Sequence, residues 1–215
     1  MKRNILLIMT VVFIAQIAFA QYDEKAKVIL DAMSSKYKQI EAYSAKFSAS
    51  LINEAEGVNE QFGGDITVKG DKYILDTEDQ MVINNGTTVW TYLPDVNEVN
   101  IDNYDPDEDE ITPSTIFDEY KKGYKYIWME TVVEDGVSCD VIDLIPNNAQ
   151  DSQFFKIKMV ISMKDKTLVK WTMFEKSGNK HIYTVRNFNS TTKVSDAAFT
   201  FNKSKYPNVE VVDLR

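Results

Sequence analysis

The fold class of this chain is decided by residues 80–99, which read QMVINNGTTVWTYLPDVNEV. Met81 and Ile83 stand two positions apart before an Asn85-Gly86 pair, and a second apolar run follows that pair. An Asn-Gly pair between two β-type runs favours a hairpin, because both residues tolerate the positive φ of a type I′ turn. Later segments repeat this spacing, with large apolar residues on one face. The sequence therefore predicts one curved sheet with an apolar side.

The first 20 residues have the features of a cleaved export signal. A short basic start precedes an apolar run, and the segment ends Ala18-Phe19-Ala20, the small-x-small pattern that a signal peptidase recognises. A membrane-spanning anchor is the alternative, but the run from Ile5 to Ile14 is shorter than the roughly 20 apolar residues that a bilayer requires. We therefore expect a signal peptide at residues 1–20, one domain at residues 21–215, and a soluble protein in the periplasm.

Composition restricts the classes of function. The chain carries a net charge of −9, which becomes −11 when Lys2 and Arg3 leave with the signal segment. An acidic exported protein is a poor candidate for binding nucleic acid or anionic lipid, so neither is expected as a partner. Cys139 is the only cysteine, which excludes an internal disulfide and a cysteine-based metal site. It lies in an apolar run and is interpreted as a small buried hydrophobe.

Two segments have helical periodicity. Residues 23–42 carry an apolar stripe at helical spacing, which consists of Ala26, Ile29, Leu30, Met33, Tyr37 and Ile40. Asp23 is the predicted N-cap of this helix, and the helix either packs on a core or covers the mouth of a sheet. A shorter helix is predicted to begin at Thr112-Pro113 and to end at Gly123. Its apolar stripe consists of Ile116, Phe117 and Tyr120.

The remaining segments alternate apolar and polar residues with the period of two that strands require. About ten strands are predicted, joined by short turns that permit antiparallel neighbours but no crossover helices. A sheet of this length usually curls or closes. The predicted class is therefore α+β, a single domain built on a curved antiparallel sheet.

No catalytic or metal-binding motif is found in the sequence. His181, the only histidine, is predicted to be exposed at the start of a strand, so no Ser-His-Asp or Cys-His arrangement can be argued. Asp105, Asp107 and Asp109 match the first ligand positions of a calcium loop, but Glu110 replaces the glycine that such a loop needs. We expect no catalytic residue, no cofactor and no metal. A pair of carboxylates of the kind that glycosidases use is the enzymatic alternative.

The chain resembles the LolA family, the periplasmic carriers of outer-membrane lipoproteins, over nearly all of its length after the signal segment. The resemblance rests on an ordered series of motifs: Phe47-Ser48-Ala49, Gly64-Asp65-Ile66-Thr67-Val68-Lys69, Asn85-Gly86-Thr87-Thr88-Val89-Trp90-Thr91-Tyr92, Thr112-Pro113, Asp165-Lys166-Thr167-Leu168 and Asp196-Ala197-Ala198-Phe199-Thr200-Phe201. It implies an incomplete, half-open antiparallel β-barrel of about ten to eleven strands, with a helical lid over a hydrophobic cavity. It also implies a monomeric carrier that takes acylated lipoproteins from an inner-membrane transporter to an outer-membrane acceptor.

The resemblance and the strand parity together predict the binding residues. The cavity wall is expected to contain Tyr43, Phe47, Leu51, Tyr73, Leu75, Met81, Ile83, Ile157, Met159 and Trp171. The lid is expected to contain Ile29, Met33, Ile116, Phe117 and Tyr120. The family usually has a lid-contacting arginine at the place that Gly70-Asp71 occupies here, so lid control or the ligand is expected to differ. A lipid- or protein-binding sensor of the same fold is the alternative function.

Overall fold

The computed structural model describes residues 23–105, 112–148, 150 and 152–215, and this part of the chain contains one α-helix and twelve strands. The predicted signal peptide and residues 106–111 of the acidic segment lie outside it. Helix α1 spans Glu24–Lys38. The strands are β1 Tyr43–Asn53, β2 Val58–Lys69, β3 Lys72–Thr77, β4 Met81–Asn84, β5 Thr88–Leu93, β6 Glu98–Asn103, β7 Tyr124–Glu134, β8 Val137–Pro146, β9 Phe154–Ser162, β10 Leu168–Glu175, β11 Lys180–Asn189 and β12 Glu210–Asp213.

All twelve described strands belong to one open sheet, in the order β12-β6-β5-β4-β3-β2-β1-β11-β10-β9-β8-β7. Adjacent strands are antiparallel, except that β12 runs parallel to β6. The sheet does not close, because its edge strands β7 and β12 lie at opposite ends of this order. The strand count exceeds the ten to eleven expected because β6 was not predicted, since its alternation rests on only two apolar residues, Val99 and Ile101.

The hairpin predicted at Asn85-Gly86 forms between β4 and β5, but its turn is of another type. Asn84 pairs with Val89, so the two central residues are Gly86 and Thr87. Only the first of them has a positive φ, +90° at Gly86, which is a feature of a type II′ turn. Asn85 instead accepts a hydrogen bond from the backbone N–H of Thr87 through its side-chain oxygen, at 3.0 Å. The prediction of a type I′ turn was therefore wrong.

Helix α1 is fixed to the sheet at both ends. Oδ1 of Asp23 caps the helix by accepting from the backbone N–H of Lys25 at 2.9 Å, and Oδ2 accepts from the N–H of Trp128 on β7 at 2.9 Å. Near the other end, the Tyr37 hydroxyl accepts from the N–H of Leu168 on β10 at 3.1 Å. The helix packs on a core, and its buried residues include Ala26, Ile29, Leu30, Met33 and Tyr37.

The second predicted helix is shorter than an α-helix. Residues Ile116–Lys121 form a 3₁₀-helix that follows Thr112 and Pro113. We call residues 112–121 the covering segment, because they cross the face of the sheet that α1 also covers, which we call the inner face. No helix in the described part of the chain is both long enough and apolar enough to cross a bilayer.

The inner face of β8, β9 and β10 forms the main core under α1. Ile142 pairs with Met159 and Leu144 with Ile157, so these side chains share that face. They are fully buried, and they pack with Met33 and other residues of the α1 stripe. On the outer face, Cys139 is buried beside Val141 and Val160, as the sequence predicted.

The C-terminal residues cover the outer face of β4 and β5. The ring of Tyr92 on β5 lies 4.4 Å from the ring of Tyr206 and 5.7 Å from that of Phe201. Residues Asp196–Phe199 form a 3₁₀-helix. The last strand begins at Glu210.

Candidate cavity for an apolar ligand

An apolar cavity of about 250 Å³ lies between the inner face of the sheet and the covering segment. Its walls come from β1, β2 and β3 on one side and from β10 and β11 on the other. Pro113, Ile116 and Phe117 of the covering segment lie over it. The cavity surface is mostly hydrocarbon, and Gln80 and Thr112 are among its few polar residues.

Six of the residues predicted from the sequence line this cavity: Tyr43, Phe47, Leu75, Ile116, Phe117 and Trp171. Four of them are wall residues on β1, β3 and β10. The remaining two are lid candidates on the covering segment. These strands and the covering segment bring the six side chains together around one cavity.

Met81 and Ile83 do not line the cavity, because they lie on the outer face. Leu75, a cavity residue, pairs with Val82, so Val82 shares the inner face and its neighbours Met81 and Ile83 point away from it. Ile83 is buried, and the Tyr206 hydroxyl lies 3.9 Å from the sulfur of Met81. The prediction reversed the parity of β4, because both of its faces carry apolar residues.

Other predicted residues are on the inner face or on α1 but outside the cavity. Ile157 and Met159 have the predicted parity, but α1 fills the space above them and leaves both fully buried. The lid candidates Ile29, Met33 and Tyr120 are likewise part of the core or bonded to α1. Leu51 and Tyr73 are half-buried and do not line the cavity. The sequence did not show which part of the inner face the helix would cover.

Several cavity residues were not predicted. They are Tyr37, Ala45, Phe62, Ile66, Gln80, Thr112, Pro113, Met173, Tyr183, Val185 and Phe188. The alternation of β1 and β2 contains the signal for Ala45, Ile66 and Phe62, which occupy the same face as Phe47. The cavity residues on β11 could be predicted only from the pairing of β1 with β11, which no local sequence pattern reveals.

Gly64 allows the backbones of β2 and β3 to approach closely beside the cavity. It lies on β2 between Phe47 on β1 and Thr77 on β3. A Cβ atom at this position would lie 2.0 Å from the backbone oxygen of Asp76, which is closer than any side chain tolerates. The close approach of β2 and β3 therefore requires glycine here.

An aromatic stack closes one side of the cavity. The ring of Phe117 is stacked on that of Tyr37, with 3.4 Å between the ring centroids. The Tyr43 ring meets Tyr37 edge-on at 5.5 Å, and its hydroxyl donates to the backbone oxygen of Pro113 at 3.0 Å. Burial raises the pKa of both tyrosines, so they remain neutral. The covering segment is therefore held to α1 by the stacked rings of Phe117 and Tyr37, and to β1 by the hydrogen bond from Tyr43 to the backbone of Pro113.

A polar cluster also joins the covering segment to α1. Asp118 accepts from the Ser34 hydroxyl at 2.5 Å and from the Lys121 ammonium at 2.6 Å, and Lys38 lies 2.9 Å from its second oxygen. Burial opposes ionisation of this carboxyl, but the bonds from Lys121, Ser34 and Lys38 lower the pKa of Asp118 to about 2. We call Ser34, Lys38, Asp118 and Lys121 the latch.

The Gly70-Asp71 turn stands where the family resemblance implied an arginine. The Gly70-Asp71 turn reaches the same shallow cleft as Phe117 and Asp118. Within the described residues, however, we find no hydrogen bond or ion pair from Asp71 to the covering segment. The polar contacts of that segment include those from Ser34 and Lys38 on α1 and from the Tyr43 hydroxyl on β1.

The inner face carries polar residues beyond the cavity, at the end of β10 and the start of β11. Glu175 is buried, and its carboxylate lies 2.5 Å from Nε2 of His181. Its other oxygen accepts from the Ser177 hydroxyl at 2.6 Å and from the Asn179 amide at 3.0 Å. The Ser177 bond lowers the pKa of Glu175 most strongly, against burial, with His181 and Asn179 adding to the effect. His181 is half-buried, contrary to the exposure expected of it.

The described residues contain no group of three or more His, Cys, Asp or Glu side chains that could hold a metal ion. Of the acids that resembled a calcium loop, Asp107 and Asp109 lie outside the described residues, and Asp105 is at the edge of them.

Comparison with known proteins identifies the fold. The family model described as "Outer membrane lipoprotein carrier protein LolA" matches residues 38–202. An uncharacterised conserved protein from Thermus thermophilus is similar in structure, with a TM-score of 0.59 and 12% identity over 88% of this chain and 99% of that one. Lipoprotein LppX from Mycobacterium tuberculosis has a TM-score of 0.51 and 14% identity, over 80% of this chain and 100% of that one.

A third solved structure is that of a LolA superfamily protein from Nitrosomonas europaea. Its TM-score is 0.44 and its identity 10%, and the match covers 82% of this chain and 97% of that one. A search by sequence among curated proteins finds no match.

Proposed function

The chain belongs to the LolA family of outer membrane lipoprotein carriers, and we propose that it is a periplasmic carrier that binds the acyl chains of lipoproteins in its cavity. In this proposal the carrier receives an acylated lipoprotein from an inner-membrane transporter and delivers it to an outer-membrane acceptor. It is exported through residues 1–20 and acts as a monomer without enzymatic chemistry. The observation that carries the proposal is the apolar cavity under the covering segment.

The energetics of the cavity suit a hydrocarbon chain. Each methylene group that leaves water for such a surface contributes about 0.8 kcal/mol. The cavity of about 250 Å³ is slightly smaller than the ligand sites of roughly 300–1,000 Å³ that proteins commonly form. A full acyl chain therefore requires the covering segment to move. The Phe117–Tyr37 stack and the latch are the contacts that must open.

Transfer then follows from differences in affinity. The open carrier exposes Phe47, Leu75 and Trp171 to water. Closure over an acyl chain removes both these side chains and the surface of the acyl chain from water. An acceptor that binds the chains more strongly draws the lipoprotein onward, since a ligand moves toward the state of lower free energy. No covalent step is needed.

The proposal is tested by the lipids and proteins that remain bound to gently purified protein. Phe47 lies in the cavity wall, whereas its neighbour Ser48 is exposed on the outer face of the same strand. We expect wild-type protein and Ser48→Glu to carry acylated lipoprotein in native mass spectrometry with lipid extraction, and Phe47→Glu to carry none. Equal occupancy of the two variants would contradict the proposal. Recovery of one regulatory protein without any lipoprotein would favour the sensor instead.

A further inference from the structure

One end of the cavity wall is continuous with the polar group formed by Glu175 and His181. Trp171 and Met173 on β10 line the cavity, as does Tyr183 on β11. Met173 pairs directly with His181, and Trp171 pairs with Tyr183. Side chains at directly paired positions have Cβ atoms about 5 Å apart, on the same face of the sheet. The imidazole of His181 therefore adjoins the cavity wall at Met173.

The surroundings of His181 fix the ring in one orientation. Nε2 lies 2.5 Å from Oε1 of Glu175, and the ring of Phe154 meets the imidazole edge-on at 6.2 Å. The carboxylate is itself held by Ser177 and Asn179. An ionised carboxylate only accepts hydrogen bonds, so Nε2 carries the proton that is shared with Glu175.

In the neutral form of the imidazole, the second ring nitrogen is an acceptor. A neutral imidazole that donates through Nε2 presents a lone pair at Nδ1. Among the described residues we find no hydrogen-bond partner for Nδ1, and the His181 side chain is 26% exposed. Nδ1 can therefore be reached by a group outside the protein, at the end of a hydrocarbon surface.

We propose that His181 recognises the polar group of the bound amphiphile by accepting a hydrogen bond at Nδ1 from an O–H or N–H next to the acyl chain. This inference rests on the proposed function, because it assumes that the chain lies in the cavity. It defines the ligand further: its polar group is uncharged and carries a donor. The adjacent Glu175 carboxylate disfavours an anionic group such as a free fatty acid.

Two sources of such a donor exist, the N–H of an N-acyl amide and the hydroxyl of an acylglycerol. Two pairs of 12-carbon probes distinguish them, and each pair differs only in the donor. The first pair is N-methyldodecanamide and N,N-dimethyldodecanamide. The second is 1-dodecanoylglycerol and its di-O-methyl ether. Affinities are measured by displacement of a fluorescent fatty-acid analogue from the full mature protein.

We expect the wild type to bind the donor-bearing member of at least one pair with about three- to ten-fold higher affinity. This ratio corresponds to the net contribution of one hydrogen bond. His181→Phe retains a ring against Phe154 and should bring the ratio to about one. His181→Gln retains an acceptor and should preserve part of the preference. Glu175→Leu removes the acceptor to which Nε2 donates, and should also lower the ratio. Thermal unfolding confirms that each variant is folded.

The outcomes separate this inference from the proposed function. A wild-type ratio of one for both pairs, or a ratio unchanged in His181→Phe, overturns the role of His181 while the cavity still binds. Failure of the wild type to bind any 12-carbon probe, or binding that survives Phe47→Glu, overturns the proposed function and this inference with it. The pair that responds identifies the amide or the glycerol ester as the source.

Discussion

The two halves of the inner face are both apolar but differ in how they are filled. Under α1, the side chains of Ile142, Leu144 and Met159 are fully buried and form a dense core. Under the covering segment, Phe47 and Leu75 remain half-buried around a cavity. The difference lies in what covers the sheet, a helix of 15 residues in one half and a 3₁₀-helix of six in the other. A short cover leaves apolar surface for a ligand.

The largest effect is expected from a matched pair of leucine truncations, one in each half. Leu144→Ala removes a fully buried side chain and should lower the free energy of unfolding by about 2–5 kcal/mol. Leu75→Ala enlarges a cavity that already exists, so it should lower the free energy of unfolding by only about 1 kcal/mol. It should also weaken probe binding. Urea unfolding and probe displacement measure both effects. Equal losses of stability would show that the two halves are packed alike.

Gly64→Ala should disturb the half that contains the cavity. The added Cβ would overlap the backbone oxygen of Asp76, so β2 and β3 must move apart. This should lower the free energy of unfolding by about 1–3 kcal/mol. Gly63→Ala is the matched control, because its Cβ would approach the backbone oxygen of Phe47 less closely, at 2.8 Å. We expect a lower midpoint of urea unfolding for Gly64→Ala than for Gly63→Ala. The reverse order would contradict the assigned approach of β2 to β3.

Because the latch contains the ionised Asp118 carboxylate, we expect the stability of the folded protein to depend on pH. The pKa of Asp118 is about 2 in the folded protein, below its ordinary value of 3.8, so its stabilisation is present above 3.8 and is lost as the pH falls toward 2. Allowing for solvent screening, the loss is on the order of 1 kcal/mol. Asp118→Asn should lack this part of the pH dependence and release a bound probe faster at pH 7. A pH profile identical to that of the wild type would contradict the role of the carboxylate.

The smallest effect on binding is expected at Met81. This residue lies on the outer face beside Tyr206, so Met81→Ala should leave probe affinity unchanged and reduce stability by no more than about 1 kcal/mol. Leu75→Ala on the neighbouring strand provides the contrast. A loss of affinity in Met81→Ala as large as that in Leu75→Ala would place β4 in the opposite register.

Much of this architecture can be read from local patterns. The stripe of α1, the Asp23 cap, the β4–β5 hairpin and the face of β1 all follow from the spacing of neighbouring residues. The turn at Gly86 shows a limit of such reading, because an Asn-Gly pair fits more than one turn type. Strand β6 shows another, since two apolar residues do not distinguish a strand from a loop.

The cavity itself could be predicted only in part. Alternation placed Phe47 and Leu75 correctly, but the parity of β4 was ambiguous because Val82 is as apolar as its neighbours. Ile157 was placed on the correct face, yet whether it touches a ligand or a helix depends on where α1 lies. That position is set by distant contacts, such as the bond from Leu168 to Tyr37. Long-range packing, and not local periodicity, decides which apolar residues remain uncovered.

The pairing of β1 with β11 has a consequence for how the protein reaches its native state. These strands lie side by side in the middle of the sheet, and Ser44 on β1 bonds to Thr192, which is 148 residues away in sequence. Contacts between such distant segments slow folding, because a long loop must close before they form. The sheet cannot be completed until almost the whole chain has been synthesised. The two central strands of the sheet therefore pair only after residues 180–189 are available.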